Sequence, residues 1–242
     1  MPLPFLNLAT GTATAPVVKD PLKTSVTRAW LKAVGERPDL PSWKGVGRRR
    51  HRWLHELAVK ADDYESVYEE LPAKQLMAQD RYSVEHVVPR SKTDDASDLE
   101  ADPYNWVMAT RKANSTRSSL PLKLWPNAPW EFDNPEYPFE TIDGARHYVP
   151  PSDQRARLAR KWLYAHATYP HDIEPPSVAQ LRNLGQIVAL ARCTPVARAE
   201  QQVADALHNL LGYSNPLLTE QADRLYDLVD WYELLGATSS EL

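Results

Sequence analysis

One stretch, residues 82–121, constrains most of what this chain can build. Tyr82, Val84, Val87 and Val88 favour extended backbone, and Pro89 ends the run because it cannot donate to a sheet ladder. Asp102-Pro103-Tyr104-Asn105 reads as a turn, and Trp106-Val107-Met108-Ala109 as a short apolar strand. Thr110 is a suitable N-cap for a helix over 111–118. The expected unit is strand, loop, strand, helix.

The remaining chain is expected to wrap that unit. At 242 residues, 43% of them apolar, it can bury a substantial core. An irregular arm is expected over 1–20, then a single domain over 21–242. Within that domain, 21–75 reads as N-terminal helices, 80–125 as the hairpin-plus-helix core, 126–151 as a wrapping loop and 152–242 as C-terminal helices. Val26, Trp30, Leu31 and Val34 have helical spacing before Gly35, and Pro38, Pro41 and Gly45 mark a turn region. A helix is expected over 46–60, continuing through the acidic run 62–70. Residues 121–151 hold seven prolines among six aromatics, which excludes a long helix or a central strand. Further helices are expected over 152–167, capped by Ser152, and over 178–190. Two more should run from Thr194-Pro195 to Gly212 and from Thr219 to near Gly236. The fold class is α+β, mostly α-helical.

Composition narrows the function classes. No run approaches the roughly 20 apolar residues needed to cross a bilayer. The first residues lack a basic start and a long apolar core, so a cytoplasmic protein is expected. Cys193, the one cysteine, excludes an intramolecular disulfide and a cysteine-pair zinc site. With a net charge of −4, contact with nucleic acid would rest on local basic clusters. Arg48, Arg49, Arg50, His51 and Arg52 form the densest one, either a solvated helix end or a phosphate-facing patch.

The chemistry concentrates in the central stretch. Cleaving a phosphodiester needs a deprotonated water, a cation at the phosphate and relief for the leaving oxygen. His86 is the natural base near neutral pH. Glu85 and Asn114 offer the hard oxygen donors that suit Mg²⁺, with Mn²⁺ or Ca²⁺ as substitutes. Asn114 falls about one turn into the expected helix, where backbone amides favour a phosphate. Neighbours on a regular strand point to opposite faces, so Glu85 and His86 can serve one site only where the strand ends or bulges.

The ordered set Glu85-His86-Val87-Val88-Pro89, Asp102-x-x-Asn105 and Asn114-x-x-Arg117 resembles the bacterial endonuclease I family, nonspecific nucleases of the ββα-metal (HNH-like) superfamily. The likeness extends through Pro151, Arg155, Ala159, Arg160, Tyr164 and Tyr169, then Pro195-Val196, Glu200 and Gly212-x-x-Asn215-Pro216, over roughly residues 82–218. It implies a ββα-metal core, His86 as general base, Glu85 and Asn114 as Mg²⁺ ligands, and Asn105 bracing the loop that orients His86. Arg117 would contact the scissile phosphate, or else pair with an acid such as Asp102. Arg90, Arg111, Lys112, Arg48, Arg49 and Arg52 are the further candidates for the nucleic-acid backbone. Double-stranded DNA is the expected substrate, with single strands or RNA as further options, and 5′-phosphate products. The chain departs from the family pattern at Tyr104, usually His, at Ser119, usually Asn, and at Ser152, usually Asp. Two other classes fit the same residues: a non-catalytic binding module on a nuclease scaffold, and a site-specific nicking or restriction-type enzyme.

Overall fold

The computed structural model describes Trp30 and residues 32–35, 48–69, 71–78, 82–93, 98–126 and 138–235, with side chains of the first long helix described from Leu54 onward. The arm over 1–20, most of the 23–34 segment and the 38–45 turn region lie outside the described residues. The molecule is mostly helical with two antiparallel two-stranded sheets, as the α+β reading expects.

Helix α1 (Arg48–Lys60) and helix α2 (Ala73–Ala78) precede strand β1 (Tyr82–His86). Strand β2 (Trp106–Thr110) pairs with β1 in a regular register, from Tyr82↔Thr110 to His86↔Trp106. All five β2 residues are buried. α1 and helix α3 (Arg111–Arg117) both pack on the hairpin. Thr110 caps α3, its side-chain oxygen accepting from the Ala113 amide at 3.0 Å. The spacer between the strands holds 3-10 turns at Arg90–Lys92, Asp98–Ala101 and Pro103–Asn105, the last capped by Asp102.

The helix expected to continue through 62–70 stops at Lys60. Asp63 sits at φ 54°, and the chain turns back so that Val67 donates to the β2 carbonyl of Met108 at 3.0 Å. The wrapping loop contains a second hairpin, strands β3 (Phe139–Ile142) and β4 (Ala145–Tyr148). Asp143 and Gly144 both have positive φ, the two-residue turn that matches strand twist. Its sequence signal, Asp-Gly, is overshadowed by the surrounding prolines.

Helix α4 (Arg155–Thr168) is buried along all 14 residues and forms the central rod. A 3-10 turn at Ser152–Gln154 precedes it, so Ser152 is not its cap. The segment expected as one helix over 178–190 is two, α5 (Val178–Arg182) and α6 (Leu184–Cys193). Asn183 breaks it, its side-chain amide donating to the Ala179 carbonyl at 2.8 Å in competition with the helix ladder. Ser177 caps α5 in a reciprocal capping box with Gln180. Helix α7 (Arg198–Leu211) starts later than the Thr194-Pro195 signal and ends at Gly212 with φ 77°. The last expected helix is again two, α8 (Ala222–Leu228) and α9 (Trp231–Leu234); Thr219 instead closes the 3-10 turn Pro216–Leu218.

One apolar cluster runs from Trp30 to Leu235. Trp30 sits edge-on to Trp231 at 5.7 Å and donates to Thr168 at 3.1 Å, joining the two ends of the described chain to α4. Among the described residues no helix is long and apolar enough to cross a membrane.

Candidate active site

β1 keeps its register to His86, and the chain then bends at Val87 and Val88. α3 lies against the same strand end. Asn114 on α3 donates through Nδ2 to Ser83 Oγ at 2.9 Å and to the Val84 carbonyl at 3.1 Å. A carbonyl can only accept, so the amide is fixed with Nδ2 toward the strand, which leaves Oδ1 as the atom able to accept a hydrogen bond or coordinate a cation.

Glu85, next along, is 3% exposed. The Arg117 guanidinium donates to its Oε1, and the Tyr68 hydroxyl donates to the same oxygen at 3.1 Å. Oε2 has no protein partner among the described residues. Burial pushes the Glu85 carboxyl above its usual range, while Arg117 and Tyr68 pull the other way.

Arg117, expected at a phosphate or beside Asp102, is 1% exposed and pairs with Glu85. It also donates to the His86 carbonyl at 2.9 Å and the Val87 carbonyl at 2.8 Å. The acid expected as its alternative partner is engaged elsewhere. Asp102 accepts from Tyr164 and Tyr169 at 2.7 Å, from Tyr213 at 3.1 Å and from the Tyr104 amide at 2.8 Å.

His86 is half-buried, with Nε2 3.1 Å from the Glu100 carbonyl, which also accepts from Trp106 Nε1 at 3.1 Å. That carbonyl fixes the tautomer. Nε2 carries the proton, and Nδ1 is the basic nitrogen of the neutral ring. Asn105 is fully buried and clamps the bend after His86 from both sides. Its Oδ1 accepts from the Val88 amide at 2.8 Å, its Nδ2 donates to the Val88 carbonyl at 3.1 Å, and its own carbonyl accepts from Val87 at 2.9 Å.

The strand end thus gathers Glu85, His86, Asn105, Asn114 and Arg117. Three other candidates are on the surface. Arg111 and Lys112 are exposed on the first turn of α3, and Arg90 is exposed while paired with Glu100 at 3.0 Å. Arg48, Arg49 and Arg52 fall on α1, with side chains outside the described residues. Tyr104, the departure from the family pattern, is 1% exposed behind β2, donating to the Tyr213 carbonyl at 3.1 Å. Two contributors carried no sequence signal. Tyr68 precedes Glu85 by 17 residues on a turn, and Ser83 is an ordinary strand residue until Asn114 bonds to it.

Among the described residues no three His, Cys, Asp or Glu side chains converge on a metal position. The candidate donor set is smaller: Glu85 Oε2 and Asn114 Oδ1, both held by bonds through their opposite atoms. Two hard oxygens of this kind fit a divalent cation that retains most of its water.

The endonuclease I family model matches residues 50–222, from within α1 to the start of α8. The chain belongs to the endonuclease I family. Membership makes it a nuclease, with nucleic acid as its substrate class, in a family that is generally metal-dependent. The match covers every residue of the strand-end cluster. No curated protein matches the chain.

Proposed function

We propose that this endonuclease I family member is a Mg²⁺-dependent endonuclease that uses His86 as general base. It cuts DNA, double-stranded first and RNA as a further substrate, with little sequence preference and 5′-phosphate ends. The observation that carries the reading is the His86 tautomer: Nε2 donates to the Glu100 carbonyl, which makes Nδ1 the basic nitrogen of the neutral ring. Glu85 Oε2 and Asn114 Oδ1 would hold the cation, with Mn²⁺ or Ca²⁺ able to occupy the same donors. When bound, it supplies positive charge for the phosphate and the leaving oxygen.

The chain's own groups do the rest. Arg117 and Tyr68 hold the Glu85 carboxylate ionised and oriented. Asn105 fixes the bend at Val87 and Val88, and so the direction in which His86 leaves the strand. Arg90 is exposed just past this strand end, Arg111 and Lys112 are exposed on the first turn of α3 at the opposite end of the hairpin, and all three serve the phosphate backbone, as do Arg48, Arg49 and Arg52 on α1. The ion pair of Arg90 with Glu100 is exposed, worth at most about 1 kcal/mol, so a phosphate can displace it.

Incubation of the protein with supercoiled plasmid tests the reading. With Mg²⁺, nicked and linear forms followed by a smear are expected, abolished by EDTA, and the fragments should ligate without prior phosphorylation. A plasmid left intact in Mg²⁺, Mn²⁺ and Ca²⁺ alike would overturn it. Discrete bands in place of the smear would instead favour a site-specific enzyme.

A further inference from the structure

A cavity of about 270 Å³ opens beside the candidate active site and shares Val87 and Arg117 with it. Its walls are mainly apolar, with Pro121, Leu122, Pro175 and Pro176 among them. The segment carrying the last two is strapped onto the 3-10 turn after Pro89. Glu174 donates to the Lys92 carbonyl at 2.9 Å, and the two side chains pair at 2.6 Å.

Four polar groups of the wall have no hydrogen-bond partner among the described residues: the His166 ring nitrogens, the Trp162 indole N–H, the Ser119 hydroxyl and the Nε–H of Arg117. His166 is 6% exposed and Trp162 4%, and their ring centroids are 4.5 Å apart. Only the Arg117 Nε–H among the four is sealed from solvent; the other three open onto the cavity, where water or an occupant completes them. The cavity offers little to an anion. The two terminal nitrogens of Arg117 are engaged by Glu85 and two carbonyls, which leaves only its Nε–H, Lys92 is paired with Glu174, and burial keeps His166 neutral. At 270 Å³ it falls just under the range of clefts that take drug-sized ligands, roughly 300–1,000 Å³, which leaves room for one ring system. The matching chemistry is flat, uncharged, able to stack and able both to donate and to accept hydrogen bonds. A nucleobase has all four properties.

We propose that this cavity receives one unstacked base of the strand being cut, beside the phosphate addressed by His86. Trp162 and His166 give it an aromatic lining, and Ser119 and His166 take its edge. The inference rests on the nuclease reading above. Stacking is tolerant of base identity, so a pocket of this kind is compatible with low sequence preference.

An end-labelled single-stranded oligonucleotide with one abasic residue tests it, since every other phosphate in the strand serves as an internal reference. With Mg²⁺, cleavage at a phosphate adjoining the abasic residue should drop on the order of tenfold below the rest of the ladder. Ser119→Trp, which fills the cavity, should weaken the whole ladder and erase that dip. If Ser119→Trp does not fold by circular dichroism, His166→Leu takes its place, with a shallower dip expected. An even ladder through the abasic residue in the wild-type protein, or a dip unchanged in the folded variant, would overturn the pocket while leaving the nuclease reading intact. No ladder at all from the wild-type protein removes the nuclease reading, and the base pocket with it.

Discussion

Glu85 is the residue on which burial and function pull hardest against each other. A carboxylate at 3% exposure is costly to keep ionised, and burial alone raises its pKa. Arg117 and Tyr68 both donate to Oε1, which holds the charge and turns Oε2 outward. Tyr68→Phe removes one of these bonds and keeps the ring packed against Tyr148 at 4.8 Å. Partners behind a metal ligand typically contribute 10–100-fold to metal affinity, so Mn²⁺ binding by calorimetry should weaken by about tenfold or more. DNA affinity measured in EDTA should not change. Unaltered Mn²⁺ binding would remove Tyr68 from this role. Arg117 acts on stability as well. Arg117→Met leaves a buried carboxylate unpaired, and urea unfolding should show a loss of about 3–5 kcal/mol. A loss under 1 kcal/mol would mean that Glu85 is already neutral in the folded protein. The sequence announced Glu85, His86, Asn105, Asn114 and Arg117 through their types and order. It could not announce Tyr68 or the burial of Arg117, because a tyrosine on a turn and an arginine on a short helix look the same whether they face solvent or a carboxylate.

At the scale of elements, α4 is a helix buried on all sides that still carries Arg155, Arg157, Arg160, Lys161 and His166. The arginine best accounted for is Arg160. It forms a two-point pair with Glu200 on α7, at 3.1 and 2.5 Å, and caps α6 by donating to the carbonyls of Ala191 and Thr194. Burial also pushes Lys161 down to about 8, with its ammonium donating to the Tyr104 carbonyl at 3.1 Å. His166 is pushed down to about 3 by burial. An unfolded histidine titrates near 6.5, so its folded pKa is depressed. The stability it contributes is complete above about pH 6.5 and is lost as pH falls toward 3. Urea titrations at pH 7 and pH 5 should show the wild-type protein losing about 2 kcal/mol more than His166→Leu. Parallel losses in both proteins would contradict a buried neutral His166. Elements with strong local signals were legible: β1, β2, the Thr110-capped α3, and the Gly212 stop of α7. The β3–β4 hairpin was hidden because its prolines and aromatics read as loop, although Asp143-Gly144 is a hairpin turn. The breaks at Asn183 and before Trp231 were hidden because apolar spacing runs straight through them.

Across the whole molecule, distant parts of the chain converge on the strand end. Asp102 ties the turn that carries Asn105 to Tyr164, Tyr169 and Tyr213, between 62 and 111 residues away. Tyr68 reaches Glu85 from before the hairpin, and Tyr148 reaches Tyr68 from β4. The family resemblance marked Asp102, Tyr164, Tyr169, Arg160 and Glu200 as separate positions. Their contacts have no local pattern in the sequence, since each is set by how α4 lies across the hairpin. These ties leave the His86 ring with one fixed tautomer at the end of a braced strand. The most direct measurement is therefore the single-turnover cleavage rate of His86→Ala in saturating Mg²⁺, with DNA affinity and unfolding midpoint followed in parallel. General-base catalysis contributes roughly 10²–10⁴-fold, so the rate should fall by that factor with affinity and midpoint unchanged. A rate within a few-fold of the wild-type protein would show that another group deprotonates the water.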